Sequence, residues 1–289
     1  MAVSRQDSLT QLLEAELDPR ALDFYQLAAE EIALGVSAQR FAALLALSSR
    51  YARRQALSQP ELAEGFNPRA WNRLELLRVA LLLARPDLDS KEFTEELENL
   101  FRFADEGESC ALYRALPLLP APERFVWRAG EACRSNMLSL FESVALDSPY
   151  PVNYFDDTAW YQLVMKAVFV ETAIERIEGL DSRLTPELTR MALDFAAERL
   201  SAGRRLIPGF WLLPGNHQPQ AVTALVEQQW HSASTEERIA MALALGRAGL
   251  NERLQELQQT TTEARVLEAV AAAIANNHDQ QTFSRLLAA

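Results

Sequence analysis

Apolar positions along this chain recur every three to four residues, in stretches separated by polar and proline-containing punctuation. The punctuation marks where helices begin. Asn67 before Pro68 and Thr185 before Pro186 each place a capping side chain ahead of proline at the first helical position. Asp89 with Glu92, and Ser234 with Glu237, have the spacing of a capping box. These marks predict helices over 20–33, 38–57, 68–84, 90–103, 107–115, 122–146, 157–177 and 186–203, with several more after Gln218. No stretch alternates as a strand would. The pattern predicts an all-α fold of about a dozen helices, a multi-helix bundle or an α-solenoid, without significant sheet. Segment 204–220, RRLIPGFWLLPGNHQPQ, packs three prolines and two glycines between helical runs and marks the internal boundary. The chain then divides into a helical domain over 1–215 and an extension over 216–289 packed on it. Within the extension, TEERIAMALALGRAG and EARVLEAVAAAIANN read as HEAT-like stacked helices.

Composition supports this reading. The 289 residues are 49% hydrophobic with only 10 glycines, which suits a helical protein with a real core. Unbroken apolar stretches such as Val79–Ala84 and Ile239–Leu245 are far short of the roughly 20 residues a membrane helix needs. The start, MAVSRQDSLTQLLEAELD, lacks the basic and apolar regions of a secretory signal, and Cys110 and Cys133 have neither metal-type nor redox-type spacing. A cytoplasmic protein that does not span a membrane is expected. His217, His231 and His278 show no metal-ligand spacing, and neither a Gly-x-Ser-x-Gly elbow nor a glycine-rich phosphate loop occurs, so no metal or cofactor is implied.

A net charge of −12 argues against nucleic acid as a partner. The charge is uneven. Residues 111–134 carry Arg114, Arg124, Arg128 and Arg134 against only Glu123 and Glu131, a local positive excess suited to a small anion. Along a helix over 122–146, Arg124, Arg128, Glu131, Ser135, Ser139 and Glu142 form one polar stripe, while Asn136 falls on the apolar flank, where burial would require hydrogen-bond partners. The stripe reads either as a solvent face with Arg128–Glu131 pairing or as a pocket wall.

Lys166 is one of only two lysines, beside 26 arginines, and sits in TAWYQLVMKAVFVETAI, residues 158–174, a run apolar on nearly every side. Such a run predicts a central helix surrounded by others. Gln162 and Lys166 share a face of it, and a buried ammonium there requires an acidic neighbour, a bound anion or a wet cavity. Glu131 and Glu142 on the preceding helix are the candidate partners. The connection DSPYPVNYFDD offers Tyr150, Asn153 and Tyr154 as the lip of a pocket floored by Lys166, with Trp160 at its edge. The alternative reading of these residues is turn geometry, capping and core packing.

Residues 110–183, CALYRALPLLPAPERFVWRAGEACRSNMLSLFESVALDSPYPVNYFDDTAWYQLVMKAVFVETAIERIEGLDSR, resemble the EboA domain. The resemblance is strongest over 111–183, reaches back to FAALLALSSRYARRQAL at 41–57 and forward to about Pro214, and does not cover the last 70 or so residues. It implies a bacterial protein of a small natural-product gene cluster. The neighbours in such clusters resemble a sugar-phosphate cyclase, a UbiA-type prenyltransferase, a TIM-barrel isomerase-like protein and a metal-dependent hydrolase. In cyanobacteria the cluster is associated with export of the scytonemin precursor. The resemblance carries no catalytic residues with it.

Two functions fit. In the first, central helices enclose a polar pocket for a small anionic or polyhydroxylated metabolite, phosphorylated and cyclitol-like or prenylated, which the protein binds or transforms. Arg114, Arg124, Arg128 and Arg134 then hold the anion, Asn136, Asn153 and Gln162 orient hydroxyls, and Lys166 with Glu131 forms the acid–base or electrostatic pair. In the second, the protein is a helical scaffold that docks other enzymes of the cluster or a membrane prenyltransferase. An enclosed pocket with inward-pointing cations favours the first, and a filled core with an exposed apolar groove favours the second.

Overall fold

In a computed structural model, which describes residues 5–58, 67–215 and 217–288, the chain is all-α as the sequence predicts. Among the described residues there is no strand, only an isolated bridge between Ala56 and Asn72. The chain forms two compact units, Met1–Trp160 and Tyr161–Ala289.

The first unit carries α1 (Arg5–Glu16), α2 (Pro19–Ala33), α3 (Ala38–Leu47), α4 (Arg73–Leu83), α5 (Lys91–Phe103), α6 (Glu106–Ala115), α7 (Val126–Arg134), α8 (Leu138–Ala145) and α9 (Tyr150–Tyr154). Its axis is α4, in which every residue from Leu74 to Leu82 is buried. Helices α1, α2 and α6 pack against α4, α6 also packs on α8, and α8 on α7 and α9. A helix buried all round must satisfy any charge it carries, and α4 carries Glu75 and Arg78.

The start of α4 differs from the sequence expectation. The cap is Asn72, whose side chain accepts from the amides of Leu74 and Glu75 while Glu75 accepts from the Asn72 amide. Asn67 instead accepts from the amide of Arg69 in a preceding turn. The reason is tertiary. The amides of Leu57, Arg73 and Leu74 donate to the carbonyls of Trp71, Gln55 and Arg53, which ties the extended stretch 53–57 to 71–74 and holds residues before Asn72 out of the helix. The same pairing explains why the helix expected over 38–57 ends at Leu47, with a 3-10 turn over Ser48–Arg50. At α5 the cap is Ser90, which accepts from the Phe93 amide, and not Asp89.

The helix expected over 122–146 is three pieces. A 3-10 turn over Pro122–Phe125 leads into α7, and α7 and α8 are separated by extended backbone at Ser135. There the Ser135 hydroxyl accepts from the Met137 amide at 3.0 Å, a local bond that competes with continuing the helix. The polar stripe drawn through Arg124, Glu131, Ser139 and Glu142 is therefore broken, and Asn136 lies exposed at the break instead of on a buried flank.

Arg124 fastens this region. Its guanidinium donates to the carbonyls of Leu88 (2.8 Å), Pro120 (2.9 Å) and Ser90 (3.0 Å) and to the Thr94 hydroxyl (3.2 Å). Phe125 beside it packs edge-on against Phe93 of α5.

Helix α10 (Asp157–Phe169) contains the unit boundary. It ends eight residues before the expected 177, where the backbone of Glu171 turns left-handed at φ 59°. It is not enclosed: Thr158 and Gln162 are exposed and Phe169 is 67% exposed.

The second unit continues with α11 (Pro186–Ser201), α12 (Pro219–Gln229), α13 (Thr235–Arg247), α14 (Asn251–Thr260), α15 (Ala264–Ile274) and α16 (Gln280–Ala288). The caps read from sequence at Thr185 and at Ser234 with Glu237 are present. Here α13 is the axis, buried without interruption from Ile239 to Gly246. Segment 204–220 lies within this unit. Its Phe210, Trp211, Leu212 and Leu213 are fully buried, and the 3-10 turn over Pro208–Leu212 packs on α13 inside this unit. Apolar content, and not the prolines and glycines around it, decides the segment's place.

Five substitutions test these contacts. Gly246→Ala improves helix propensity by ~1 kcal/mol. Its new methyl would nevertheless stand 2.8 Å from the Ala273 Cβ of α15, so the substitution is expected to lower the Tm. In denaturant titrations Arg124→Met is expected to cost about 2–3 kcal/mol and Arg124→Lys to recover little, since an ammonium lacks the fork that reaches several carbonyls. Ser90→Ala is expected to cost about 1 kcal/mol, against less than ~0.5 for Asp89→Ala.

Candidate functional site

A cavity of about 110 Å³ lies in the first unit between α4, α6, α8 and the 53–57 stretch. It is lined by Arg54, Asn72, Glu75, Arg78, Gly107 and Cys110, with Glu106 and Ser139 also on its wall. That volume holds a few water molecules or one compact polar group. Arg54 and Glu106 are exposed, so this side is the mouth; Arg78, Gly107 and Cys110 are buried and form the interior.

Arg78 is 4% exposed. Its Nε donates to the Leu45 carbonyl at 3.2 Å, and its Nη2 to Glu108 at 3.4 Å. Its Nη1, also buried, has no acceptor among the described residues. Burial pulls the Arg78 pKa down, Glu108 and Asp105 oppose the shift, and nearby Arg54 adds to it. The acceptors around the cavity are better supplied. Glu75 takes the Asn72 amide at 3.0 Å and lies 3.1 Å from Arg114 Nε; Glu106 takes the Ser139 hydroxyl at 2.6 Å; Glu108 takes the Asp105 amide at 3.0 Å. The unmet demand is thus for an acceptor. The Cys110 thiol, which donates to the Ser139 carbonyl, is pushed above its ordinary pKa by burial and then by Glu75.

The residues singled out in the sequence are placed mostly elsewhere. Arg124 is held by carbonyls, as above. Arg128 pairs with Glu98 of α5 and lies over Phe101 and Trp127, with burial lowering its pKa. Arg134 forms an exposed pair with Glu131 three residues before it, so the acid expected beside Lys166 has a basic partner within its own helix. Tyr150 is buried and its hydroxyl donates to the Pro122 carbonyl at 2.6 Å, which makes it a core strut; burial raises its pKa. Tyr154 is half-buried against the Tyr150 ring, and Asn153 is exposed. Trp160 is fully buried, Glu142 half-buried on α8, and neither lines the cavity.

Gln162 is exposed and Lys166 half-buried on the part of α10 that belongs to the second unit. Of the predicted ligand-binding residues Arg114 adjoins the cavity, through Glu75, and Ser139 of the predicted polar stripe lines it. Arg114 also lines a crevice of about 10 Å³ with Ser143 and Asp147, room for a single water. The sequence reading missed Arg54, Asn72, Glu75, Arg78, Gly107 and Cys110 as a group. One signal was present: Glu75 and Arg78 interrupt LELLRVALLLA just as Lys166 interrupts its own apolar run.

The second unit has an open groove of about 520 Å³ between α11 and α12, lined by Leu193, Ala196, Leu200, Ala221, Ala224 and Leu225 with Ser201 and Gln228. It contains no charged side chain to orient a polar ligand. Among the described residues no cluster of His, Cys, Asp and Glu is arranged to hold a metal ion, and no helix is long and apolar enough to cross a membrane.

A family model described as metabolite traffic protein EboA matches residues 5–215, more than two thirds of the chain. No curated protein and no solved structure matches it. Every residue lining the cavity, from Arg54 to Ser139, falls inside the matched span. The chain belongs to the EboA family, whose members are described as metabolite traffic proteins.

Proposed function

We propose that this protein binds a small anionic or polyhydroxylated metabolite, without covalent chemistry, in the cavity between α4, α6 and α8. The observation that carries the reading is the buried Arg78 guanidinium, whose Nη1 has no acceptor among the described residues and adjoins a polar cavity. Buried donors are nearly always paired, so an unpaired one facing a cavity marks where a ligand atom belongs. The family's metabolite-related description supports the same reading. Binding suits the side chains better than catalysis does. The cavity's one thiol is held protonated by burial and Glu75, which makes it a poor nucleophile. Its carboxylates already accept hydrogen bonds.

Two variants test the site by different routes. Arg78→Leu removes the donor but also its bonds to Leu45 and Glu108, so part of its effect is on folding. Gly107→Ala keeps every charged group and forces the two guanidinium groups apart, because its methyl would lie 2.5 Å from Arg54 Nη2 and 3.3 Å from Arg78 Nη1. Native mass spectrometry of protein purified from cells that make the metabolite is expected to show a small-molecule adduct on the wild type. Both variants should lose it, while Gly107→Ala keeps its circular dichroism. Losing one charge-assisted hydrogen bond of about 1.5–3 kcal/mol weakens affinity roughly ten- to a hundredfold. An adduct of equal abundance on the wild type and Gly107→Ala would remove the site from this cavity.

A further inference from the structure

We infer that the bound metabolite is held by a compact oxyanion, a phosphate or carboxylate group, seated between the Arg54 and Arg78 guanidinium groups beside Gly107. This deepens the reading above and rests on it. Three observations carry it. First, the two guanidinium groups converge on Gly107: the position a Cβ would take there lies 2.5 Å from Arg54 Nη2 and 3.3 Å from Arg78 Nη1. Only the absence of a side chain at Gly107 lets both approach α6 so closely. Second, Arg54 has no carboxylate partner among the described residues, and Glu108 engages Arg78 through Nη2 alone, leaving Nη1 unpaired by protein. A carboxylate or phosphate oxygen is the strongest acceptor for an unused buried guanidinium nitrogen, and a neutral hydroxyl is a weaker one.

Third, the wall beneath them is the first turn of α6, a ten-residue helix whose leading amides have no intrahelical acceptor and whose dipole favours negative charge. Asp105 takes the Glu108 amide, which leaves those of Glu106 and Gly107. The volume sets the size. About 110 Å³ accommodates the acidic group and little else, so the rest of the metabolite projects past Arg54 and Glu106 into solvent. Arg54, exposed and reaching over Gly107, is the clasp at the mouth, and Arg78 is the fixed donor inside.

The probes are inorganic phosphate, acetate and uncharged myo-inositol, each titrated against the full chain and its Arg54→Gln and Gly107→Ala variants. Phosphate binding is read from 31P line broadening, and the other two from ligand-observed proton NMR. Phosphate or acetate should bind the wild type at least tenfold more tightly than either variant, weaken as salt rises, and bind in preference to myo-inositol. If myo-inositol binds in a Gly107-dependent way and neither anion does, the oxyanion assignment falls while the cavity remains the site. If the anions bind the wild type and both variants alike, the contact is an adventitious surface one and the assignment falls. If no probe binds and Gly107→Ala also keeps the wild-type metabolite adduct, both readings fall.

Discussion

The first unit is organised around one constraint: α4 is enclosed on all sides, yet it carries a carboxylate and a guanidinium one turn apart. An uncompensated buried charge costs several kcal/mol, so whatever packs on α4 at that level must bring partners. Helix α6 does. Its Glu108 reaches Arg78 and its Arg114 reaches Glu75, which fixes α6 along α4 by two ion pairs of opposite polarity. The Asn72 capping box adds a third restraint, because the Glu75 carboxylate that meets Arg114 also closes the N-terminus of α4. Once α6 is set, α8 follows through the Ser139–Glu106 and Cys110–Ser139 contacts. The cavity lies at this junction because charged groups with directional partners cannot interdigitate as tightly as aliphatic ones.

The second unit meets the same problem without charges. Its buried axis, α13, presents Ile239, Ala240, Met241, Ala242, Leu243, Ala244, Leu245 and Gly246, and its closest neighbour, α15, approaches with Ala273. Small side chains let the two backbones come close, and the resulting contact is apolar and filled. Polar function is therefore more naturally housed in the first unit, where the core already contains ionised groups held in place by several bonds each.

Much of the architecture was legible in the sequence because it depends on local chemistry. Helical periodicity, the Thr185 and Ser234 caps and the absence of strand patterns all act within a few residues, and the structure shows each of them. Misreadings arose where a distant contact decided between local options. Asn67 and Asn72 are equally good caps in isolation, and the pairing of 53–57 with 71–74 selects the second. At Ser135 the competing bond is itself local, from the Met137 amide to the Ser135 hydroxyl, and a helical wheel does not register it. The same limit explains the site. The positive excess at 111–134 is real, but each guanidinium there is absorbed separately, by carbonyls at Arg124, Glu98 at Arg128, Glu131 at Arg134 and Glu75 at Arg114. A charge count cannot register that, since partners such as Glu75 and Glu98 lie dozens of residues away in the chain.

Lys166 and Arg78 present the same signal, a lone cation in an apolar run, and differ only in what covers them. A helical wheel shows which side chains share a face, not whether the face is closed. On α10 the face of Lys166 continues through exposed Gln162, whereas around Arg78 every neighbour on α4 is buried. The distinction bears on how a metabolite would be handled. A buried, oriented donor gives specificity, because an ill-fitting ligand leaves it unsatisfied. An exposed partner such as Arg54 adds attraction that solvent and salt can replace, and ligand and water can exchange at its side of the cavity. On the proposed reading, one buried donor inside and one exposed cation at the mouth would hold a compact acidic group selectively yet reversibly, as passing a metabolite onward requires.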